Sequence, residues 1–219
     1  MDITQIVLVF CFYCILYVSA FPRPLSKGEK ICFVSGNTNK AQEAIAVLDP
    51  DRFPWELEVV GDVDMEEIQA TQLEVAIHKC RQAQRLCPNR PVIVEDTSLC
   101  LTALGGLPSV YIKDFWETLG NKGMISLLDG YEDRSAYVQC TLCFARDGDS
   151  PVKTFVGQAF GSITKEERGD KNFGWDSIFQ PIHSDKTFAE MSMAEKNAVS
   201  HRAKAFKQLQ TYLNSRMGS

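Results

Sequence analysis

The feature that most restricts the fold of this chain is an alternation of strand-like and helix-like segments that ends in two long strand-like runs. The predicted segments of the first half are strands at residues 30–35, 56–60 and 91–95 and helices at residues 40–48 and 71–87. Residues 135–145 and 152–163 then predict an antiparallel pair of long strands joined near Asp147-Gly148-Asp149. This order predicts a mixed α/β fold in a single domain.

The remaining helices are predicted from spacing and from capping signals. Residues 111–119 and 124–128 have helical character. Thr71-Gln-Leu-Glu74 and Ser192-Met-Ala-Glu195 match capping boxes, which predicts a helix start at each. The residues expected on the buried faces are Leu73, Ile77, Cys80, Ala83 and Cys87 in the first of these helices and Val199, Phe206, Leu209 and Leu213 in the last.

Composition and charge limit the classes of protein to consider. The chain has 219 residues, of which 45% are hydrophobic and 23% charged, which is ordinary for a globular domain. Its net charge of −5 argues against a broad nucleic-acid-binding surface, so an anionic ligand would need a local basic pocket. The eight cysteines are scattered, and Cys140 and Cys143 lie three apart in a predicted strand, on opposite faces. Buried free thiols are therefore expected, not a disulfide framework or a zinc site.

The start of the chain is an apolar leader. Residues 3–21 are almost wholly apolar, and Val18-Ser19-Ala20 resembles a signal-peptidase cleavage site. No Lys or Arg precedes this segment, and positive charge begins only at Arg23, an asymmetry that would keep the following domain in the cytosol if the segment is an anchor. A signal, an anchor and an exon without a role in the folded domain all stay open. The predicted division is a leader and connector at residues 1–27 and a folded domain at residues 28–219.

The first candidate functional segment is Ser35-Gly36-Asn37-Thr38-Asn39-Lys40, where a predicted strand turns into a helix. Free backbone N–H groups and the helix dipole make a helix N-terminus an anion site. Gly36 permits close approach of the backbone, while Lys40 adds positive charge. The segment lacks the Walker A pattern, and an ordinary strand-to-helix turn is the competing interpretation.

Acidic residues form the second candidate. Glu95 and Asp96 follow a buried strand, where an unpaired carboxylate is costly, so a metal or water partner is expected. Asp64, Glu66 and Glu67 are further candidates, although a solvated acidic loop explains that stretch equally well. Magnesium takes one or two carboxylates together with waters and phosphate oxygens, which suits such a set.

Two later segments carry aromatic and cationic residues. Asn172-Phe173-Gly174-Trp175-Asp176 could form a slot for a flat base with an acid at its edge, although aromatics are more often core residues. Lys196, His201 and Arg202 are predicted near a helix N-terminus, where cations are unfavourable unless an anion or an acceptor-rich ligand lies close.

Taken in order, these segments resemble the inosine triphosphate pyrophosphatase family. The matching stretches are SGNTNK at 35–40, VEDTSLCLTALGGLPSVYIK at 94–113, FGWD at 173–176 and AEKNAVSHR at 194–202. The likeness runs from about residue 30 to residue 213 and leaves the leader outside.

The resemblance implies an elongated mixed α/β fold, with a central sheet flanked by helices and a cleft between two lobes, and a homodimer. The catalytic domain is expected in the cytoplasm. It implies Mg²⁺-dependent hydrolysis, with Mn²⁺ as an alternative ion, of ITP, dITP and XTP to the monophosphate and pyrophosphate. Glu67 and Asp96 would serve the metal, and Asp96 would also accept the proton of the attacking water. The residues implied to bind substrate are Ser35, Gly36, Asn37, Thr38, Asn39, Lys40, Lys79 and Lys113 at the phosphates, and Phe173, Gly174, Trp175, Asp176, Lys196, His201 and Arg202 around the base and ribose.

The chain departs from the common animal pattern of that family at three positions. Asn39 stands where lysine is common, Ser109 where glycine is common, and Glu66 where a proline precedes the metal-binding acid. The last difference leaves open whether Glu66 or Glu67 would bind the metal. Rival hypotheses are a related pyrophosphatase for modified pyrimidine nucleotides, and an inactive nucleotide-binding module tethered by residues 3–21, which would be its only contact with a membrane.

Overall fold

The computed structural model describes residues 23–48, 51–61, 63, 65–170 and 173–217, apart from the side chain of Thr38. Several predictions fall outside the described residues, namely the apolar leader, the helix end at residues 49–50, and the candidate residues Asp64 and Asn172. Within the described part, no helix is long and apolar enough to cross a membrane.

Seven strands and five α-helices make up the described part of the chain, with short 3-10 turns at Thr102–Leu104 and Phe188–Glu190. The strands are β1 (Lys30–Val34), β2 (Glu56–Val60), β3 (Val92–Leu101), β4 (Pro108–Ser109), β5 (Ser135–Ala145), β6 (Lys153–Ile163) and β7 (Phe179–Pro181). The helices are α1 (Thr38–Val47), α2 (Gln72–Leu86), α3 (Ile112–Ser126), α4 (Met193–Val199) and α5 (His201–Asn214).

One mixed sheet forms the centre of the domain, in the order β2-β1-β3-β5-β6-β7, with β4 paired to β3. Strands β2, β1 and β3 run parallel, whereas β4, β5, β6 and β7 join by antiparallel pairing. The predicted mixed α/β fold is therefore confirmed, as is the predicted hairpin of β5 and β6. The predicted bounds of β2 and β5 match the structure residue for residue.

Strand β3 is longer than predicted, and its length creates the site. The prediction ended this strand at Glu95, but β3 continues to Leu101 because β5 pairs with it along its whole length. The parallel strand β1 is in register with only the first part of β3, with Phe33 opposite Ile93, and it ends one residue later. Glu95 and Asp96 therefore lie in the middle of β3, but directly beyond the end of its neighbour β1.

The hydrophobic core is divided into three clusters. One lies between the sheet and helices α1 and α5 and includes Phe33 and Phe206. The second lies on the opposite face under α2 and includes Val94. The third surrounds the far halves of β3 and β5 together with α3 and β7, and includes Leu99 and Phe179. The sheet thus carries two regions of core along its length, which agrees with the expected pair of lobes.

The structure corrects two features of the predicted helices. The last helix is two helices, because Ser200 ends α4 and its side chain caps α5 by accepting a hydrogen bond from the Ala203 N–H. Leu73, expected on the buried face of α2, is 45% exposed.

The buried free thiols are confirmed for the six cysteines of the described part. Cys140 and Cys143 belong to different core clusters on the two faces of the sheet, as their spacing predicted.

Candidate active site

The turn between β1 and α1 delivers the segment of residues 35–40 to the edge of the sheet. Asn37 is the N-cap of α1, and its side-chain oxygen accepts hydrogen bonds from the backbone N–H groups of Asn39 and Lys40. A Cβ on Gly36 would meet only an ordinary contact with the Val63 carbonyl at 3.6 Å, so protein packing does not itself require glycine there. Asn39 is exposed, whereas Ser35 is buried and its hydroxyl accepts from the Asn37 N–H.

Glu95 and Asp96 serve different faces of the sheet. Successive side chains of a strand point to opposite faces, so these two adjacent acids diverge. Asp96 faces α2 and pairs with Lys79, whereas Glu95 faces α5 and pairs with Arg202. Both carboxylates are buried. The sequence pair therefore supplies one carboxylate to each of two separate clusters of charge.

The first cluster, here named the Lys79 cluster, consists of Glu67, Lys79 and Asp96. The ammonium of Lys79 lies 2.7 Å from Asp96 Oδ1 and 2.7 Å from Glu67 Oε1. Lys79 and Asp96 are buried, but the Glu67 side chain is 47% exposed, so the cluster opens to solvent on one side. One ammonium faces two carboxylates, which leaves a formal excess of negative charge.

Burial and pairing act against each other within the Lys79 cluster. Burial disfavours the charge of Lys79, but the Asp96 and Glu67 carboxylates outweigh it and hold the pKa of the ammonium above its ordinary value. For Asp96, burial prevails over the nearby lysines and raises the pKa of the carboxyl above its usual value. A carboxylate with a raised pKa is a stronger base, which suits a group that accepts a proton.

A second set of contacts holds the loop that carries Glu67. The side chain of Gln82 accepts from the Glu66 N–H at 3.0 Å and donates to the Glu66 carbonyl at 3.1 Å. The Glu66 carboxylate lies 3.2 Å from His78 Nε2, and both of these residues belong to the outer side of the site. Glu66 therefore points to His78, and it is Glu67 that meets Lys79 beside Asp96.

The second cluster, here named the Arg202 cluster, is almost fully buried. Arg202 donates to Glu95 with two parallel bonds, from Nε at 2.8 Å and from Nη2 at 2.7 Å. Its Nη1 pairs with Glu43, and Lys196 pairs with both Glu43 and Asp176. Lys40 reaches Glu95 at 3.5 Å from the β1–α1 turn. Three cations thus face three carboxylates, and the formal charges of the cluster balance.

Two acids of the Arg202 cluster, Glu95 and Asp176, have pKa values that are shifted in opposite directions. Burial opposes the ionisation of Glu95, but the charges of Arg202 and Lys40 prevail and lower its pKa to about 2. For Asp176, burial outweighs the Lys196 ammonium and raises the pKa to about 6. Glu95 is therefore a permanent anion at neutral pH, whereas Asp176 changes its charge within one or two units of neutrality.

The junction of α4 and α5 brings the cations together. Lys196 lies in the last turn of α4, while His201 and Arg202 are the first two residues of α5. The predicted helix start at Ser192 is confirmed and places Lys196 in the helix that begins there, but the expectation of one helix N-terminus for all three is wrong, because His201 and Arg202 begin a second helix. The cation at the start of α5 is tolerated because the buried carboxylates of Glu43 and Glu95 neutralise Arg202.

Aromatic rings line the Arg202 cluster on one side. The Phe173 ring lies 4.7 Å from the Lys196 ammonium and 5.7 Å from the Arg202 guanidinium. Trp175, predicted to form a slot with it, packs instead against the third core cluster. His201 stacks on Phe188, and both of its ring nitrogens are buried without a hydrogen-bond partner. Burial, reinforced by Arg202, holds the pKa of His201 well below its ordinary value, so the ring is neutral.

The structure leaves one predicted residue apart and adds one that the sequence did not single out. Lys113 is exposed at the start of α3, and the ion pairs found among the described residues do not include it. Glu43 was not a candidate, although it is buried and bridges Lys196 to Arg202. The sequence offered one indication of its burial. Glu43 stands next to the core residue Ala44 and one turn after Lys40, on the same helix.

Comparison with known proteins decides the family. The sequence model of the Ham1 family matches residues 31–212. The chain belongs to the Ham1 family. It is similar to a Fusarium vanettenii protein named inosine triphosphate pyrophosphatase, with 45% identity over 184 residues that cover 84% of this chain and 95% of the relative. The resemblance noted from the motifs is therefore confirmed.

Solved Ham1 structures share the fold. The Ham1 protein of Coxiella burnetii has a TM-score of 0.74 and 28% identity, covering 85% of this chain and 99% of its own. The Ham1 protein of Staphylococcus aureus has a TM-score of 0.71 and 29% identity, with the same two coverages. The likeness to both solved Ham1 structures thus extends over 85% of this chain.

Proposed function

We propose that this protein hydrolyses non-standard purine nucleoside triphosphates, namely ITP, dITP and XTP, to the nucleoside monophosphate and pyrophosphate. Membership of the Ham1 family and similarity to a fungal inosine triphosphate pyrophosphatase support the reaction class. The observation that carries the assignment of residues is the divergence of Glu95 and Asp96 from one strand into two charged clusters. One cluster suits a cation and phosphates, and the other suits a neutral base.

The Lys79 cluster fits a divalent cation. Its ammonium already stands between two carboxylates, Glu67 and Asp96, in the arrangement that a positive ion would require. Among the described residues no three acidic, histidine or cysteine side chains converge, so two carboxylates would hold the ion. Magnesium commonly binds through one or two carboxylates together with substrate phosphates, and we take Mg²⁺ as the ion with Mn²⁺ as an alternative. Such an ion, when bound, neutralises charge that develops on phosphate oxygens.

Asp96 is the general base in this proposal. It accepts a proton from a water whose oxygen forms a bond to the α-phosphorus, while the bond from the α-phosphorus to the bridging oxygen breaks and pyrophosphate leaves. The buried position and raised pKa of Asp96 support this role. Lys40 and Lys79 are the nearest cations for the leaving phosphates, with Lys113 as a further contact from α3, and residues 35–39 supply polar groups beside them.

Base selection follows from the polarity of hydrogen bonds in the Arg202 cluster. Hypoxanthine and xanthine, the bases of ITP and XTP, present an acceptor at the 6-keto position, as guanine does, whereas adenine presents an amino donor there. Arg202 has five N–H donors, which Glu43 and Glu95 do not exhaust, and it would match the keto group. Against ATP these donors would face another donor, which costs affinity. Phe173 offers its ring to the flat base, and Asp176, Lys196 and His201 complete the pocket.

A pyrophosphate-release assay tests the function. The panel contains ITP, XTP, ATP, GTP and dUTP, each with Mg²⁺ and with a chelator. The proposal expects release from ITP and XTP far above that from ATP, and only with the metal. GTP, whose base shares the 6-keto group, shows whether the site also rejects a 2-amino group. Preferred release from dUTP would support the pyrimidine hypothesis, and nucleotide binding without release would support an inactive module.

The assembly and location of the protein are further parts of the proposal. A homodimer with a cytoplasmic catalytic domain is expected, and light scattering coupled to size-exclusion chromatography tests the first part. Arg23 and Leu25 are held against the domain at the amino end of β1, through the Arg146 guanidinium and the first core cluster respectively.

A further inference from the structure

The segment that presents Phe173 and Asp176 to the Arg202 cluster has neither a helix nor a strand of its own. It is a pair of tight turns, with the Asp176 N–H donating to the Phe173 carbonyl and the Ile178 N–H donating to the Trp175 carbonyl, both at 3.0 Å. Gly174 adopts a left-handed conformation with φ of 51°. Because such turns do not fix their own place in a protein, contacts from other elements must position them.

Asn121 of α3 supplies contacts of this kind. Its Nδ2 donates to the Gly174 carbonyl at 3.1 Å and to the Ser177 hydroxyl at 3.0 Å. These two acceptors bracket the turn that contains Asp176. The helix is kinked at the preceding residue, Gly120, whose φ of 62° and ψ of −177° are non-helical.

The orientation of the Asn121 amide is fixed by Trp116. The indole N–H of Trp116 donates to Asn121 Oδ1 at 2.9 Å. An indole nitrogen is only a donor, so it must face the amide oxygen, and the amide NH₂ is thereby turned towards the segment. Asparagine combines one acceptor for the indole with two donors for the turn, which aspartate, of the same shape, cannot do.

We propose that Asn121 is a positioning residue for base recognition, which holds residues 173–177 so that Phe173 and Asp176 meet Lys196 and Arg202. This inference rests on the proposed function, because it assigns the segment to the base and not to the phosphates. The segment touches the Arg202 cluster and not the Lys79 cluster. Its displacement should therefore weaken substrate binding and base selection while chemistry at Asp96 continues.

Two variants test the proposal. Asn121→Asp keeps the size and the acceptor for Trp116 but places a carboxylate against the Gly174 carbonyl. Asn121→Leu removes every hydrogen bond at similar volume. Since both variants lose the hydrogen bonds to Gly174 and Ser177 that hold the segment, we expect KM for ITP to rise roughly tenfold in both. The kcat should stay within about threefold of wild type, the pattern for lost ground-state binding. The preference for ITP over ATP should narrow.

The matched control is Lys122→Leu, since Lys122 is the exposed neighbour of Asn121 in the same helix. It should leave KM, kcat and selectivity unchanged. A purely structural role for Asn121 would lower the melting temperature and the fraction of active enzyme with KM unchanged, and that result would overturn the proposal. A wild-type protein that releases no pyrophosphate from ITP would overturn the proposed function as well. An active wild type beside Asn121 variants of unchanged KM and selectivity would overturn this inference alone.

Discussion

The Lys79 cluster and the Arg202 cluster lie on opposite faces of one strand, and they differ in charge balance and in exposure. The Lys79 cluster has one cation for two carboxylates, and it opens to solvent at Glu67. The Arg202 cluster has equal numbers of cations and carboxylates and is closed, with Arg202 only 2% exposed. A site short of positive charge attracts a metal ion, whereas a balanced and buried site suits an uncharged, flat ligand. Two neighbouring acids on one strand can therefore take part in different functions, one in the reaction and the other in recognition of the ligand.

The largest expected effect concerns the Lys79 cluster. Asp96→Asn removes the proposed proton acceptor, so kcat for ITP should fall by about 10²–10⁴-fold while KM changes little. Steady-state pyrophosphate release at saturating Mg²⁺ measures it. Asp129→Asn, which changes an exposed acid, is the control. An unchanged kcat in Asp96→Asn would remove the general base from the account.

The next effect contrasts the stability of the two clusters. Arg202→Met removes the guanidinium that pairs with the buried Glu43 and Glu95, leaving each with a single lysine, and should lower the free energy of unfolding by about 3–5 kcal/mol. Lys79→Met should cost about 1–3 kcal/mol, because Glu67 can turn to solvent. Urea denaturation of both variants at pH 7 provides the comparison. Equal losses would show that the two clusters are equally closed.

The pH dependence of recognition should depend on Asp176. Its pKa of about 6 is raised from the ordinary 3.8, so the carboxylate is charged above pH 6 and is lost as the pH falls through that value. Protonated Asp176 no longer balances Lys196, and kcat/KM for ITP should therefore decline below about pH 6. The substrate also titrates, and Asp176→Asn separates the two causes. A profile with the same acid limb in wild type and variant would assign the decline to the substrate.

The smallest expected effect concerns the contacts that hold the loop of Glu67 in the proposed metal site. Gln82→Met keeps the volume of the side chain but releases the backbone of Glu66, next to Glu67. Outer contacts of this kind influence metal affinity, and we expect apparent affinity to weaken by roughly 3–10-fold with kcat restored at saturating metal. Mn²⁺ binding followed by electron paramagnetic resonance gives a readout without turnover. Arg85→Met, on the exposed side of the same helix, should bind Mn²⁺ as wild type does.

Local pattern predicted most of the fold but only part of the site. The order of strand-like and helix-like segments was sufficient to predict strands β1, β2, β5 and β6, because apolar residues recur along each of them. The break near Gly120 was also visible, as two separate helical patterns. The continuation of β3 past Glu95 was missed, because charged residues end most strands and only pairing with β5 overrides that tendency. Ser200 was missed as a cap, because helical spacing continues across it.

The missing parts of the site depend on contacts between distant residues. Glu43 reads locally as an ordinary acid on a helix, and its partners Lys196 and Arg202 follow more than 150 positions later. The separate roles of Glu95 and Asp96 follow from strand alternation, but only after the strand is known to continue through both. Motif resemblance placed Lys196 and Arg202 together, as they are in the structure. It assigned Lys40 and Lys113 to one phosphate site, but Lys40 pairs with Glu95 in the Arg202 cluster and Lys113 lies apart. The carboxylates that hold the cations became visible only in three dimensions.

The proposal that the Lys79 cluster carries the chemistry and the Arg202 cluster recognises the base is tested most directly by one ratio. This ratio is kcat/KM for ITP divided by kcat/KM for ATP. It is measured in wild type, Asp96→Asn and Glu95→Gln with the same Mg²⁺ concentration. The account predicts a ratio near the wild-type value in Asp96→Asn, despite its slow turnover, and a ratio reduced about tenfold or more in Glu95→Gln, which releases Arg202. A ratio that collapses in Asp96→Asn, or that survives in Glu95→Gln, would contradict it.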